Sequence, residues 1–491
     1  MTTPTRLALL SVAALTILWC VPAPTSADPG ELLQTFLNPA PDPSDRFGEN
    51  LVPLGDNLVV TASSHDSQGK DAGAAYLFNG FTGDLVATMY HPTSFDKAEF
   101  GYRATAVAEN VVITAPCLSQ SPQDANSAFL FDGATGHLLH TLENPSTAEW
   151  VRRFGYRVAT LGNDLVVAPH DWGVFDSSRP DSASYVALFN GSTGELKQVF
   201  ACPGGGNTSH NEIATLGGRI VLVGDIYNDT GAEDSGAVHM FDAPTGSLLR
   251  TFFNPTPAAG DRFGDSITQV GENVIVGTRY DDTAGEDAGA AYLFDSSTGE
   301  ILQTFLNPAP DSSRSFGKRV VAVGDRVLVS SPWDNSYGER AGAAYLFDGS
   351  NGELLHTFHS PTPSERDYFG YSFAALGDTA LFGAPSISAA GVGAAYLFDL
   401  SSGELLHTYL NPTPEPGDRF GHRVVAFGDN VLISASRDDT AGPGAGAVYL
   451  FEGVAAVPEP STLASLISLS GAALLVYVWR RRRRRVGAAE P

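Results

Sequence analysis

Cysteine is scarce: three residues in a chain of 491 cannot staple a disulfide scaffold. Basic residues are also few, 29 Lys and Arg against 55 Asp and Glu, and along the central part of the chain they are not clustered. That argues against a nucleic-acid partner, because phosphate affinity needs grouped cations. Helical periodicity is missing everywhere between the two termini. What is abundant is turn chemistry, 52 Gly and 31 Pro, which breaks the chain into short elements. With 43% apolar residues the chain has ample material for a packed core, and wholesale disorder is excluded.

The two ends read as addresses. Residues 1–27 have the parts of a secretory signal peptide: Arg6, an apolar run from Leu7 to Val21, and the small residues Thr25-Ser26-Ala27 at a cleavage site. Its removal takes Cys20 with it and leaves Cys117 and Cys202, whose pairing the sequence leaves open. In residues 454–491, Pro458-Glu459-Pro460 precedes an apolar segment, 463–479, which can just span a bilayer as a helix. Six arginines follow, Arg480, Arg481, Arg482, Arg483, Arg484 and Arg485, and would hold that end on the cytoplasmic side. Excluding both ends leaves 22 basic and 53 acidic residues, so the body carries −31. A surface this acidic favours solubility and repels anionic polymers at long range.

Between the ends one unit recurs eight times. Gly73-Ala74-Ala75-Tyr76-Leu77-Phe78 has counterparts ending at Phe131, Phe189, Phe241, Phe294, Phe347, Phe398 and Phe451. Upstream of seven of them stands an aromatic-glycine pair, from Phe47-Gly48 to Phe420-Gly421; in the fourth unit Ser209-His210 takes its place. A period near 50 marks a propeller or an array. The first unit shows four strand-like segments, Glu49–Leu54, Leu58–Ala62, Ala74–Phe78 and Leu85–Met89, separated by turn residues. Four antiparallel strands per unit make one propeller blade. A lone fourth-strand pattern, Glu31 to Phe36, precedes the first unit, and no fourth strand follows Phe451. The fold class predicted is therefore all-β: an eight-bladed propeller over residues 28–453 whose N-terminal strand completes the last blade, with seven blades as the alternative.

The Phe-Gly pairs, the Gly-Ala-Pro at 383–385 and the Gly-Ala-Ala-Tyr-Leu-Phe strands resemble FG-GAP repeats, the family that includes the propeller of integrin alpha subunits. The resemblance implies a propeller used for adhesion or recognition. Family-style calcium loops are not carried over, because short turns such as Gly428-Asp429-Asn430 cannot wrap six or more oxygens around an ion. The C-terminal order of Pro-Glu-Pro, apolar helix and arginine cluster resembles a PEP-CTERM sorting signal. It implies processing by an exosortase, transient inner-membrane anchoring and delivery to the surface or extracellular matrix of a Gram-negative bacterium.

No catalytic residue is assigned. Carboxylates on Gly-containing loops, Asp229 and Asp234, Asp281, Asp282 and Asp287, Asp438 and Asp439, form the candidate set for a divalent cation such as calcium; solvated turns are the competing reading. Trp150, Trp172 and Phe175, in an irregular third unit, form the candidate ligand face, since exposed aromatics stack on sugars or seat a partner. His140, His356 and His407 share one repeat position and are expected to face solvent. The expected function is non-enzymatic: an exported adhesion or recognition module for an as yet undefined protein or polysaccharide. The alternatives are a calcium-binding surface protein or a quinoprotein-like oxidoreductase. The Asp295 to Leu302 phrase resembles repeats of the quinone-dependent enzymes, but their docking tryptophan and vicinal cysteines are missing.

Overall fold

The computed structural model describes residues 30–453 apart from 94, 117–126, 147–152, 170–184, 204–209, 311–314 and 389–390. The leader 1–27, the tail 454–491 with its apolar segment and arginines, and Cys117 lie outside the described residues. Within them no helix is long and apolar enough to cross a membrane.

Eight four-stranded antiparallel sheets are arranged as an eight-bladed propeller. The first blade runs β2 (Leu51–Leu54), β3 (Asn57–Ala62), β4 (Ala74–Asn79) and β5 (Leu85–Met89), paired in that order. The last combines β30 (Phe420–Phe427), β31 (Asn430–Ala435) and β32 (Ala447–Phe451) with β1 (Leu32–Leu37) from the other end of the chain. In this seam Leu37 lies opposite Ala447 and Leu32 opposite Phe451, and the Glu452 amide donates to the Glu31 carbonyl at 2.8 Å. The predicted closure by the N-terminal strand is the observed one.

Burial explains the sequence pattern of each strand. Second and third strands are sandwiched between neighbouring blades, so β4 is apolar and buried along both faces over its first five residues. First strands line the axis and are partly exposed, and fourth strands bury mainly one large apolar side chain, such as Phe36 or Met89. The core accordingly divides into eight clusters, each drawn from two adjacent blades; one joins Phe47, Tyr76 and Phe78 to Phe36, Leu432 and Leu450.

At six junctions the Phe-Gly pair and the glycine before the preceding blade's third strand, Gly73, Gly236, Gly289, Gly342, Gly393 and Gly446, form the clamp between blades. The Phe100 amide donates to the Ala72 carbonyl at 2.9 Å, and Gly73 pairs with Phe100 in a parallel bridge. Gly73 has φ of 83°, and a Cβ there would stand 2.1 Å from the Phe100 carbonyl oxygen, so both conformation and space require glycine. Two-residue hairpins join first to second strands, as where Leu54 pairs with Asn57 and Phe427 with Asn430, one residue shorter than the sequence suggests; the fourth blade, with Leu216 opposite Ile220, has three. These hairpins and the third-to-fourth turns form one face of the ring. The second-to-third and fourth-to-first connections form the other.

Candidate functional site

First strands of successive blades touch one another around the axis, so their repeat-equivalent positions converge there. The second residue after the Phe-Gly pair is arginine in four units: Arg103, Arg157, Arg319 and Arg423. Register confirms the equivalence, with Arg157 opposite Ala168, Arg319 opposite Ser330 and Arg423 opposite Ser434. The fourth unit puts Glu212 at this place, opposite Gly224. Together with Arg279, Lys318, Asp265, Tyr156, Tyr371, Trp333 and Phe373 they line a cavity of about 860 Å³. Six cations and two carboxylates thus surround the axis of a strongly acidic protein.

Along the sequence, Lys and Arg in the fold region show no clustering. The ring overturns that, because residues some fifty positions apart in a repeat become neighbours at its centre. Phe-Gly-Tyr-Arg at 100–103 and 154–157, Phe-Gly-Lys-Arg at 316–319 and Phe-Gly-His-Arg at 420–423 carried the signal.

Aromatic rings and a few polar contacts hold the cations. Arg103 lies 4.9 Å from the Tyr102 ring centre, Arg157 4.8 Å from that of Tyr156, and Arg279 4.6 Å from that of Tyr280 and 6.0 Å from that of Trp333. The buried Asp265 takes Arg279 at 3.1 Å and Lys318 at 3.6 Å, while Glu212 stands 3.9 Å from Arg157. Arg423 donates through Nε to the Glu49 carbonyl at 3.0 Å, across the seam between first and last blades. Desolvation, followed by the charges of Arg157 and Arg423, pushes Arg103 down to about 10, so it remains cationic at neutral pH. Burial and then the nearby arginines push His422 down to about 3. Enclosure raises the Glu212 carboxyl against the opposing pull of Arg157, Arg319 and Arg103.

The acidic-loop candidates have structural partners. Asp281 and Asp438 are fully buried and accept the hydroxyls of Tyr292 and Tyr449, each at 2.8 Å. Asp334, which the sequence reading passed over, does the same for Tyr345 at 2.7 Å. Their neighbours cap the loops: Asp282 accepts the Asp287 amide at 2.8 Å and Asp229 the Asp234 amide at 2.9 Å. Asp439 accepts the Gly444 amide in the corresponding way. In the first blade His65 occupies the position of Asp281, and its Nδ1 sits 3.0 Å from Asp45 and 3.9 Å from Asp42, a group compact enough to share an ion. The Asp45 oxygen facing His65 already accepts Asn38 Nδ2 and the Asp42 amide, both at 2.7 Å. Trp150, Trp172 and Phe175 lie outside the described residues. Cys202 is a buried free thiol, raised by burial.

The fold is that of an eight-bladed propeller, and a family model described as FG-GAP repeat matches residues 256–294 and 414–451 within it. Among solved structures the chain is similar to BamB from Moraxella catarrhalis, at 13% identity and TM-score 0.53, over 86% of this chain and 99% of that one. It is also similar to the computationally designed Ika8 protein, at 14% identity and TM-score 0.56, over 86% and 100% of the two chains. The Dos1 propeller matches at 11% identity and TM-score 0.57, over 86% and 95%. At these identities the likeness establishes the fold alone. No curated protein matches the chain.

Proposed function

We propose that the protein is a non-enzymatic recognition module, exported to the cell surface or extracellular matrix, that holds protein or glycan ligands over its axial channel. The observation that supports this most is the channel itself: stacked arginines and aromatic rings converge on one concave site of ligand size. A rigid ring with variable side chains at repeat-equivalent positions presents such groups without loop rearrangement. Export and sorting rest on the residue patterns at 1–27 and 454–491, with an exosortase as the processing partner.

The reading is tested by screening the exported protein on a glycan array, with and without calcium, alongside extracellular-matrix proteins. Saturable binding independent of calcium is expected. Binding only with calcium would move the site to the acidic loops. Turnover of a substrate, or quinone absorbance in the purified protein, would overturn the non-enzymatic assignment.

A further inference from the structure

We infer that the axial channel is a binding site for a short acidic saccharide, whose carboxylates engage the arginine forks while its sugar rings lie on the flanking aromatic faces. The inference deepens the recognition reading and rests on it.

Charge balance is the first support. Asp265 is shared between Arg279 and Lys318, and Glu212 lies beside Arg157. No carboxylate among the described residues forms an ion pair with Arg103, Arg319 or Arg423. Arg103 turns one Nη toward the Tyr102 carbonyl at 3.4 Å, and Arg319 stacks 5.7 Å from the centre of the Phe373 ring. A crowded set of like charges with incomplete compensation repels itself, and the field it creates in the channel attracts an anion that completes it. Enclosure within the ring, reinforced by mutual repulsion, lowers Arg103, Arg319 and Arg423, although all three keep access to the channel.

Shape and chemistry narrow the class. Planar guanidinium groups match carboxylates through two parallel hydrogen bonds. Tyr102 and Tyr156 stand 5.4 Å apart, centre to centre, beside their arginines, and Phe373 and Trp333 also meet cations of this site. Flat apolar faces next to forked donors suit a ring that carries a carboxylate. About 860 Å³ takes a few such rings. The body around the channel is acidic, so a long polyanion meets repulsion beyond a basic zone confined to the axis. A short oligosaccharide, or the end of a longer one, escapes most of that repulsion.

The test uses the whole exported protein with trigalacturonate, its methyl ester, inorganic phosphate, and a single-stranded oligonucleotide, read by calorimetry and thermal unfolding. Trigalacturonate is expected to bind and raise Tm, with affinity falling as salt rises. The neutral ester is expected to lose at least tenfold. Arg103→Gln and Arg319→Gln are each expected to weaken binding about 10- to 100-fold. Both should also leave Tm of the ligand-free protein unchanged or raised, because each removes a repelling charge; a merely structural arginine would lower it. Two variants from separate blades keep the test usable if one misfolds. Equal binding of the ester, or tighter binding of phosphate or the oligonucleotide, would overturn the acidic-saccharide assignment. Glycan binding that survives both substitutions would overturn the channel site while leaving the recognition reading standing. If none of the four probes binds, the acidic-saccharide assignment falls, while the recognition reading is decided by the glycan and matrix-protein screen.

Discussion

Asp261 and Asp418 are carboxyls with no exposed surface or almost none, each held by an asparagine amide and a backbone N–H three residues earlier in the chain. Desolvation first, then the neighbouring Asp281 and Asp282 or Asp438 and Asp439, pushes both up to about 6, while the backbone hydrogen bonds pull the other way. An unfolded aspartate titrates near 3.9, so between about pH 4 and 6 the native state binds the extra protons. The contribution to stability is therefore full below about pH 4 and is lost as pH rises through 6. Asp261→Asn is expected to raise Tm by about 1–3 °C at pH 7.5 and to change it little at pH 4.5; equal effects at both values would show that charge is not the cause. None of this pairing was legible in the sequence. Asp281 and Asp438 looked like loop carboxylates free for a cation, because nothing local reveals that a tyrosine eleven positions on returns to take one oxygen. The arginine channel was legible in principle, since its motif recurs in register, but a count of basic residues along the chain hides groups that only ring closure assembles.

Among elements, the junction between a third strand and the next blade carries the strictest requirement. At Gly55, φ of 59° is the only demand, and nothing stands within 4 Å of an added Cβ; at Gly73 a similar backbone conformation is combined with the Phe100 carbonyl at 2.1 Å. Gly55→Ala is expected to cost about 1–2 kcal/mol and Gly73→Ala distinctly more, as measured by urea unfolding. Comparable losses would mean that the clamp yields without cost. Four strands per unit and their order were readable from residue type, because each strand has its own burial. The outer strands were read less well. His356 and its counterparts His140 and His407 are half-buried rather than solvent-facing. Each packs against the turn glycine of an adjoining chain segment, Gly403, Gly194 and Gly30, and His356 Nε2 lies 3.1 Å from the Ser401 carbonyl. Alternation along one strand describes its own sheet and says nothing of the neighbouring blade that leans on it.

At the scale of the molecule, blade number followed from counting orphan strands, and the pairing of β1 with β32 bears it out. This closure links residues more than four hundred positions apart, so the ring is sealed only when the whole chain is present. Deleting residues 28–37 is expected to leave β32 with an open edge and to convert a monodisperse species into aggregates, seen by size-exclusion chromatography. A truncated protein that stays monomeric with unchanged Tm would show that the seam adds nothing.

The seam also fixes an orientation. Residues 31 and 452 meet where β1 begins and β32 ends, on the face built from the tight hairpins. The arginines sit at the opposite ends of their strands, towards the connections where Arg279 and Trp333 reach the cavity. A tether attached through either chain end would therefore hold the ring like a cup on its stem, with the mouth turned away from the point of attachment. Ligand access and anchoring need not compete for the same surface.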